Sequence, residues 1–178
     1  MESQETGWLG NMLGWGRRRQ LGVSERLYGN AVALAREPTF FRDHGVADTV
    51  DGRFDALALV VALVMRRLKS CGDGGGDLSQ QLFDSMFSDM DLSLREMGAG
   101  DIGVSKRVRV MAEAFMGRLD AYATALDDGD REALAAAIGR NLLRGEGVPS
   151  SELVDFVLAL EVRLSALEDK VLLAGELG

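Results

Sequence analysis

The sequence predicts an all-α protein, an irregular single-domain bundle of about six helices that follows an N-terminal leader. The composition supports this, because the chain has only 2 prolines and 6% aromatic residues, while helix-favouring Leu, Ala, Met, Arg and Glu are abundant. Apolar residues also recur at spacings of three and four along most of the chain, and no segment alternates as a strand would. The 178 residues suffice for one domain with a sizeable core.

The leader comprises residues 1–20, and residues 21–178 form the predicted helical domain. Both tryptophans of the chain lie in the leader, which ends in three consecutive arginines, a composition typical of a segment in a membrane interface. The alternative is a leader that is disordered or docks on the domain. The membrane-surface candidates are Trp8, Leu9, Met12, Leu13, Trp15, Arg17, Arg18 and Arg19.

The first two helices are predicted on either side of a turn-rich stretch. The first runs from Ser24, a candidate N-cap, to Arg36. Turn-forming residues follow as far as Gly52. The second helix, about Arg53 to Lys69, is apolar nearly all round its middle, so we expect it to be the central helix of the domain.

The third helix is predicted to follow a flexible, glycine-rich connector over residues 70–76, in which Cys71 is an exposed thiol. It begins at about Asp77, with Gln80 at the spacing of a capping box, and one of its sides is apolar. We interpret the opposite side, the acidic face, as a solvated surface, a set of structural ion pairs or a docking surface for a basic partner. A carboxylate metal site is a further alternative, but di-iron bundles need more than the one His of this chain. The acidic face comprises Asp77, Asp84, Asp89, Asp91 and Glu96, with Asp101 just beyond it and Arg95 as its basic member.

A glycine-rich turn from Gly98 to Gly103 leads into the fourth helix, and helices over about 131–144 and 150–173 complete the bundle. The turn has the letters GxGxxG, but a predicted helix precedes it, whereas a dinucleotide site needs a strand there. It is therefore a close connection between two helices or, alternatively, an anion site of a helical enzyme or cofactor carrier.

The composition excludes several classes of function. One Cys and one His exclude an internal disulfide, a zinc site built from cysteines and histidines, and a paired-cysteine redox motif. A net charge of −8 argues against a general or sequence-specific nucleic-acid binder. The longest apolar run has ten residues, Ala56–Met65, about half of a membrane-spanning helix. We therefore predict no catalytic, cofactor-binding or metal-ligating residue.

Two charged residues, Arg53 and Asp55, flank Phe54 at the start of the second helix. Charges beside a buried helix must be paired, because an unpaired buried charge destabilises by several kcal/mol. We expect an ion-pair network with carboxylates of the third helix, such as Asp89 or Glu96. A role in binding a partner is the alternative.

Three blocks of the sequence resemble the ubiquinol–cytochrome c chaperone family, over about residues 24–145, so that the leader and the last helix lie largely outside the resemblance. The chain departs from the family at Ala47, where Pro is expected, at Val60, where His is common, and at Met116, where an aromatic residue is usual. The first block contains LY (27–28), AR (35–36), FF (40–41), GV (45–46) and GRFD (52–55). The second contains LFDSMF (82–87), DMD (89–91), LREMG (94–98) and KRV (106–108), and the third MAEAF (111–115), GR (117–118) and AY (121–122).

The resemblance implies a non-enzymatic factor for assembly of the cytochrome bc1 complex of the respiratory chain. Its implied partner is newly made cytochrome b or another subunit of that complex. For a bacterial member it implies a cytoplasmic location, peripheral at the inner membrane. No catalytic residue and no cofactor carry over, since the family is not an enzyme family. From the residues themselves, the partner-binding candidates are Arg53, Phe54, Asp55, Asp84, Asp89, Asp91, Arg95, Glu96 and Asp101.

Overall fold

The computed structural model describes residues 22–96, 98 and 100–178, and the predicted leader lies outside this part. The described residues form helices joined by turns, with no strand among them, so the all-α prediction is confirmed. No helix of this part is long and apolar enough to cross a membrane. The helices are α1 (22–35), α2 (Pro38–Arg42), α3 (Val50–Leu68), α4 (Gly72–Glu96), α5 (Asp101–Asp127), α6 (Arg131–Asn141), α7 (Ser151–Ser165) and α8 (Asp169–Leu172).

The centre of the bundle is α3, as the sequence predicts. Every residue from Asp55 to Val64 is buried, and the helix packs on α4, α5 and α7. It begins before Arg53 because Thr49 is its N-cap and accepts a hydrogen bond of 3.1 Å from the amide of Gly52. A helix buried on all sides needs apolar residues all round, which explains its composition.

The glycine-rich segment forms a close turn within the first residues of α4, and the prediction of a flexible connector up to residue 76 is wrong. The helix starts at Gly72, leaves helical geometry at Asp73 and Gly74, and then continues to its end. Gly75 is buried so closely that a Cβ atom there would lie 2.2 Å from the carbonyl oxygen of Leu68. Asp77 is therefore inside the helix and is not its cap.

The Cys71 thiol is buried, contrary to the prediction of an exposed one, and joins α3 to α8. Arg67 donates to the Cys71 sulfur at 3.0 Å and to the Asp169 carboxylate at 2.6 Å. The thiol itself donates to Asp169 at 3.5 Å. Burial raises the pKa of the Cys71 thiol, and the hydrogen bond to Asp169 raises it further. The thiol is therefore a neutral part of the packing.

The last predicted helix is interrupted. Ser150 caps α7 by accepting a bond of 3.1 Å from the amide of Leu153, but the helix ends at Ser165. A turn then separates it from α8, so the prediction of one helix over about 150–173 is wrong. The break brings the C-terminal residues back to α1, where Asn30 donates to the carbonyl oxygen of Gly175 at 2.8 Å.

A short helix that the sequence did not predict, α2, occupies part of the turn-rich stretch. Pro38 is at its first position, where its fixed φ favours a helix and its missing N–H is not needed. Phe40 is fully buried and meets the ring of Phe156 edge-on, with the centroids 4.9 Å apart. The helix is therefore held by an aromatic contact with α7.

A buried carboxylate connects α3 with two distant parts of the chain. The Asp55 side chain is fully buried; Arg118 of α5 donates to it at 2.6 Å, and Arg144, which follows α6, donates at 2.5 Å. Arg53 is instead paired with Asp48 at 2.7 Å in an exposed position. The predicted network with carboxylates of the third helix is therefore wrong, because Arg53 pairs with an acid that precedes α3 and the partners of Asp55 are arginines from other elements.

Arg144 adopts a backbone conformation that is rare for a residue with a side chain. Its φ is +54°, in the left-handed region, which raises the energy of a non-glycine residue by about 1 kcal/mol or more. Its guanidinium also reaches the Asp51 carboxylate at 3.2 Å. Two charge-assisted hydrogen bonds to acids at the start of α3 thus hold the strained turn after α6.

Replacing Asp55 by Asn should lower the free energy of unfolding by about 3 kcal/mol, because two arginines then lose the charge that compensates them. Urea denaturation of purified protein measures this change. The control is Asp48→Asn, which breaks an ion pair whose side chains are 57% and 59% exposed and should change stability little. Equal effects of the two substitutions would contradict the structural importance of Asp55.

Two neighbouring glycines should respond oppositely to alanine. Gly75→Ala should destabilise by about 1–3 kcal/mol, since the new methyl group meets the backbone oxygen of Leu68. Gly76→Ala should stabilise by about 0.5 kcal/mol, since a Cβ there contacts nothing within 4 Å and alanine favours the helix. The midpoint temperatures of thermal unfolding of the two variants measure these effects. A higher midpoint for Gly75→Ala than for the native chain would show that the turn is not closely packed.

Candidate functional site

A groove of about 830 Å³ opens between α1, the start of α3, the second half of α4 and the first half of α5. Its residues fall into three chemical groups. The apolar ones are Val32, Ala35, Val50, Phe54, Leu57, Met90, Leu94, Val110, Met111 and Ala114. The basic ones are Arg36, Arg53, Lys106, Arg107, Arg118 and Arg144, and the acidic ones are Asp51 and Asp89. Tyr28, Ser93 and Gly103 complete the lining.

A hydrogen bond joins two walls of the groove. The Tyr28 hydroxyl of α1 donates to the Asp89 carboxylate of α4 at 2.7 Å. Burial raises the pKa of the Tyr28 phenol, and the bond to Asp89 raises it further, so the phenol stays protonated and able to donate. The bond holds α1 against α4 beside the groove.

The floor of the groove is apolar and its opening carries exposed apolar side chains. Leu57 is 7% exposed and forms part of the floor, whereas Val50 and Val110 are 73% and 53% exposed. Met90 and Met111 also line it, and methionine adapts its shape to different apolar partners. Apolar side chains left open to water around a concave surface are typical of a binding site.

The Asp55 ion pairs lie at one side of this groove. Arg118 and Arg144 line it while they bind the Asp55 carboxylate. The Arg118 guanidinium also lies 5.7 Å from the centre of the Phe54 ring, within reach of a cation–π interaction. The buried carboxylate therefore sets the positions of three side chains of the site.

The edges of the groove are basic although the chain as a whole carries a net charge of −8. Three cations at these edges are exposed: Arg36, which follows α1, and Lys106 and Arg107 of α5. No side chain of the described part forms an ion pair with them. Local charge of the opposite sign to the whole protein steers and orients a partner. The groove therefore combines an apolar floor with a cationic edge.

The structure divides the predicted partner-binding residues between two places. Arg53, Phe54 and Asp89 line the groove, and Asp55 lies buried beside it. The other residues belong to α4 outside the groove or, for Asp101, to the first position of α5. Outside the groove, Asp91 pairs with Arg95 at 2.6 Å, Asp84 accepts from Gln80 at 2.9 Å, and Glu96 is the exposed last residue of α4. The membrane-surface candidates, residues 8–19, lie outside the described residues.

Sequence reasoning missed the α5 wall of the groove because most of its residues occupy the less apolar face of that helix. On α5, Phe115 and Tyr122 are buried in the core, whereas the groove is lined by Gly103, Arg107, Val110 and Ala114. These four follow each other at spacings of four, three and four, which places them on one face of a helix. This second, mixed face was the available signal.

No group of side chains in the described part could hold a metal ion. The Gly98–Gly103 turn follows α4, a helix, and Gly98 has a φ of +85°, as is typical where a helix ends. Among the described residues no strand leads into this turn. The frame of a dinucleotide site is therefore missing there.

Comparison with known proteins identifies the family. A family model described as ubiquinol–cytochrome C chaperone matches residues 42–177, which extends beyond the three resembling blocks to include α7. The crystal structure of the Cbp3 homolog from Brucella abortus has 36% sequence identity and a TM-score of 0.81, and the alignment covers 94% of this chain and 93% of that chain. No curated protein matches the chain. The chain belongs to the ubiquinol–cytochrome c chaperone family.

Proposed function

We propose that this chain is a non-enzymatic chaperone for assembly of the cytochrome bc1 complex, and that it binds newly made cytochrome b in the groove. Family membership supports the assembly role. The observation that carries the binding site is the apolar floor between four helices, with Val50 and Val110 exposed around it.

Burial of apolar surface is what such a groove offers a newly made membrane protein. A subunit that has not yet reached its partners exposes apolar segments, and their removal from water is favourable by roughly 25 cal/mol per Å². A groove between helices binds an apolar helix face through side chains one turn apart. Met90 and Met111 let the floor adapt to such side chains.

The acidic face is a second surface that could contact the client. Its residues outside the groove include Asp84 and Asp91, both on α4. Cytoplasmic loops of membrane proteins carry an excess of Lys and Arg. Basic loops of cytochrome b could therefore rest on the acidic face while an apolar segment occupies the groove.

We also propose peripheral contact with the inner membrane through the leader, because its tryptophans and arginines suit an interface. Removal of residues 1–20 should then abolish binding to vesicles that contain an anionic lipid. The full chain is the control. Vesicle binding that persists after the deletion would show that the helical domain, and not the leader, contacts the membrane.

Placing a charge in the groove should impair function. Val110→Asp should reduce accumulation of cytochrome b at least about tenfold in cells that lack the native chain, because a carboxylate in an apolar site disfavours apolar partners. The matched control is Val162→Asp, at a valine 62% exposed on α7 and outside the groove. Immunoblots of cytochrome b measure the result. Equal accumulation with both variants would contradict a client site in the groove.

Charge reversal on the acidic face tests whether this face or the groove is the main client surface. The double variant Asp84→Lys, Asp91→Lys alters the acidic face but no residue that lines the groove. If the groove is the main client surface, co-purification of cytochrome b should fall by no more than about twofold, because exposed charges contribute little binding energy. Asp89 is left unchanged, because its loss would break the bond with Tyr28. Loss of co-purification from a folded variant would make the acidic face the main client surface.

A further inference from the structure

The charges around the groove point to the chemistry of the segment that it binds. Six lining residues are basic and two are acidic. Of these acids, Asp51 forms an ion pair with Arg144 at 3.2 Å, whereas Asp89 accepts from the Tyr28 hydroxyl at 2.7 Å, a neutral donor that leaves the carboxylate charge in place. Arg36, Lys106 and Arg107 have no ion pair within the described part of the chain. The charge left for a partner is therefore positive.

The basic edge continues beyond the groove. A neighbouring hollow of about 500 Å³ shares Arg36 and Arg53 with it and adds Arg42 beside Pro38 and Phe41. Arg42 and Arg53 each bind one exposed carboxylate, Asp43 and Asp48. A segment leaving the groove at this end would pass three guanidinium groups.

We infer that the groove selects an acidic amphipathic helix, whose apolar stripe rests on the floor and whose Asp and Glu residues face the basic edge. The inference rests on the proposed function and names the kind of segment bound. Arg36, which follows α1, would meet carboxylates on one wall of the groove, and Lys106 and Arg107 would meet them on α5. Opposite charges at the edges of an apolar contact set the register and orientation of a bound helix.

The shape of the site favours a protein segment over a lipid surface. The floor reaches down to Leu57, which is only 7% exposed, whereas Lys106 and Arg107 are exposed at the edge. A flat bilayer surface would touch the edge and leave the floor in contact with water. A helix is narrow enough to place its side chains on the floor and its carboxylates at the edge.

The test uses three labelled peptides with an identical leucine stripe and with Glu, Gln or Lys along both sides of it. Fluorescence anisotropy with the full chain should show that the Glu peptide binds tightest, about tenfold tighter than the Lys peptide at low salt. High salt should remove most of this difference, because it screens exposed charges. Equal or tighter binding of the Lys peptide would overturn the inference.

Matched variants assign the preference to the groove. The triple variant Arg36→Gln, Lys106→Gln, Arg107→Gln should reduce the preference for Glu over Lys to about twofold or less. The control variant Arg109→Gln, Lys69→Gln, Arg163→Gln removes the same charges from exposed positions outside the groove and should keep the preference. Loss of the preference in the control variant, or a preference that persists unchanged in the groove variant, would place its origin outside the groove and contradict the inference.

Other occupants give different results. If anionic phosphatidylglycerol vesicles bind through the same three cations and no peptide binds, the site binds a membrane surface and not a helix. A rise in affinity for all three peptides on deletion of residues 1–20 would show that the leader is the native occupant of the groove.

Failure of this inference can be told apart from failure of the proposed function. If Val110→Asp impairs cytochrome b accumulation but the Lys peptide is preferred, the proposed function stands and only this inference fails. If Val110→Asp has no effect, the proposed function itself fails.

Discussion

The buried carboxylate of Asp55 is the constraint on which the rest of the site depends. It lies in the central helix α3, fully buried, and binds Arg118 from α5 and Arg144 from the turn after α6. A buried charge of this kind is tolerated only with compensating partners, so three separate segments must meet at one point. Because both arginines line the groove, the same interaction that joins the helices also shapes the surface offered to a partner.

The groove combines two properties, in a protein with a net charge of −8. Its floor is apolar and its edge is basic, and the bond between Tyr28 and Asp89 holds one wall against another. Apolar burial supplies affinity without direction, whereas the charges at the edge orient the partner.

The sequence was sufficient for the long helices of the bundle but not for the site. The apolar residues of α3 predict a central helix because burial on all sides is a local property of composition. The partners of Asp55 are 63 and 89 residues away, and no local pattern shows which distant arginine meets it. The break between α7 and α8 was missed for a related reason, since apolar spacing continues across it while contacts with Arg67 fix its geometry.

The most direct test of the central claim, that the groove holds newly made cytochrome b, is site-specific photo-crosslinking during synthesis of the client. A photoreactive amino acid at position 50, where Val50 is 73% exposed beside the groove, should crosslink to nascent cytochrome b. The same group at position 148, where Val148 is 93% exposed outside the groove, should not. Crosslinks of equal yield from both positions, or from position 148 alone, would contradict the account.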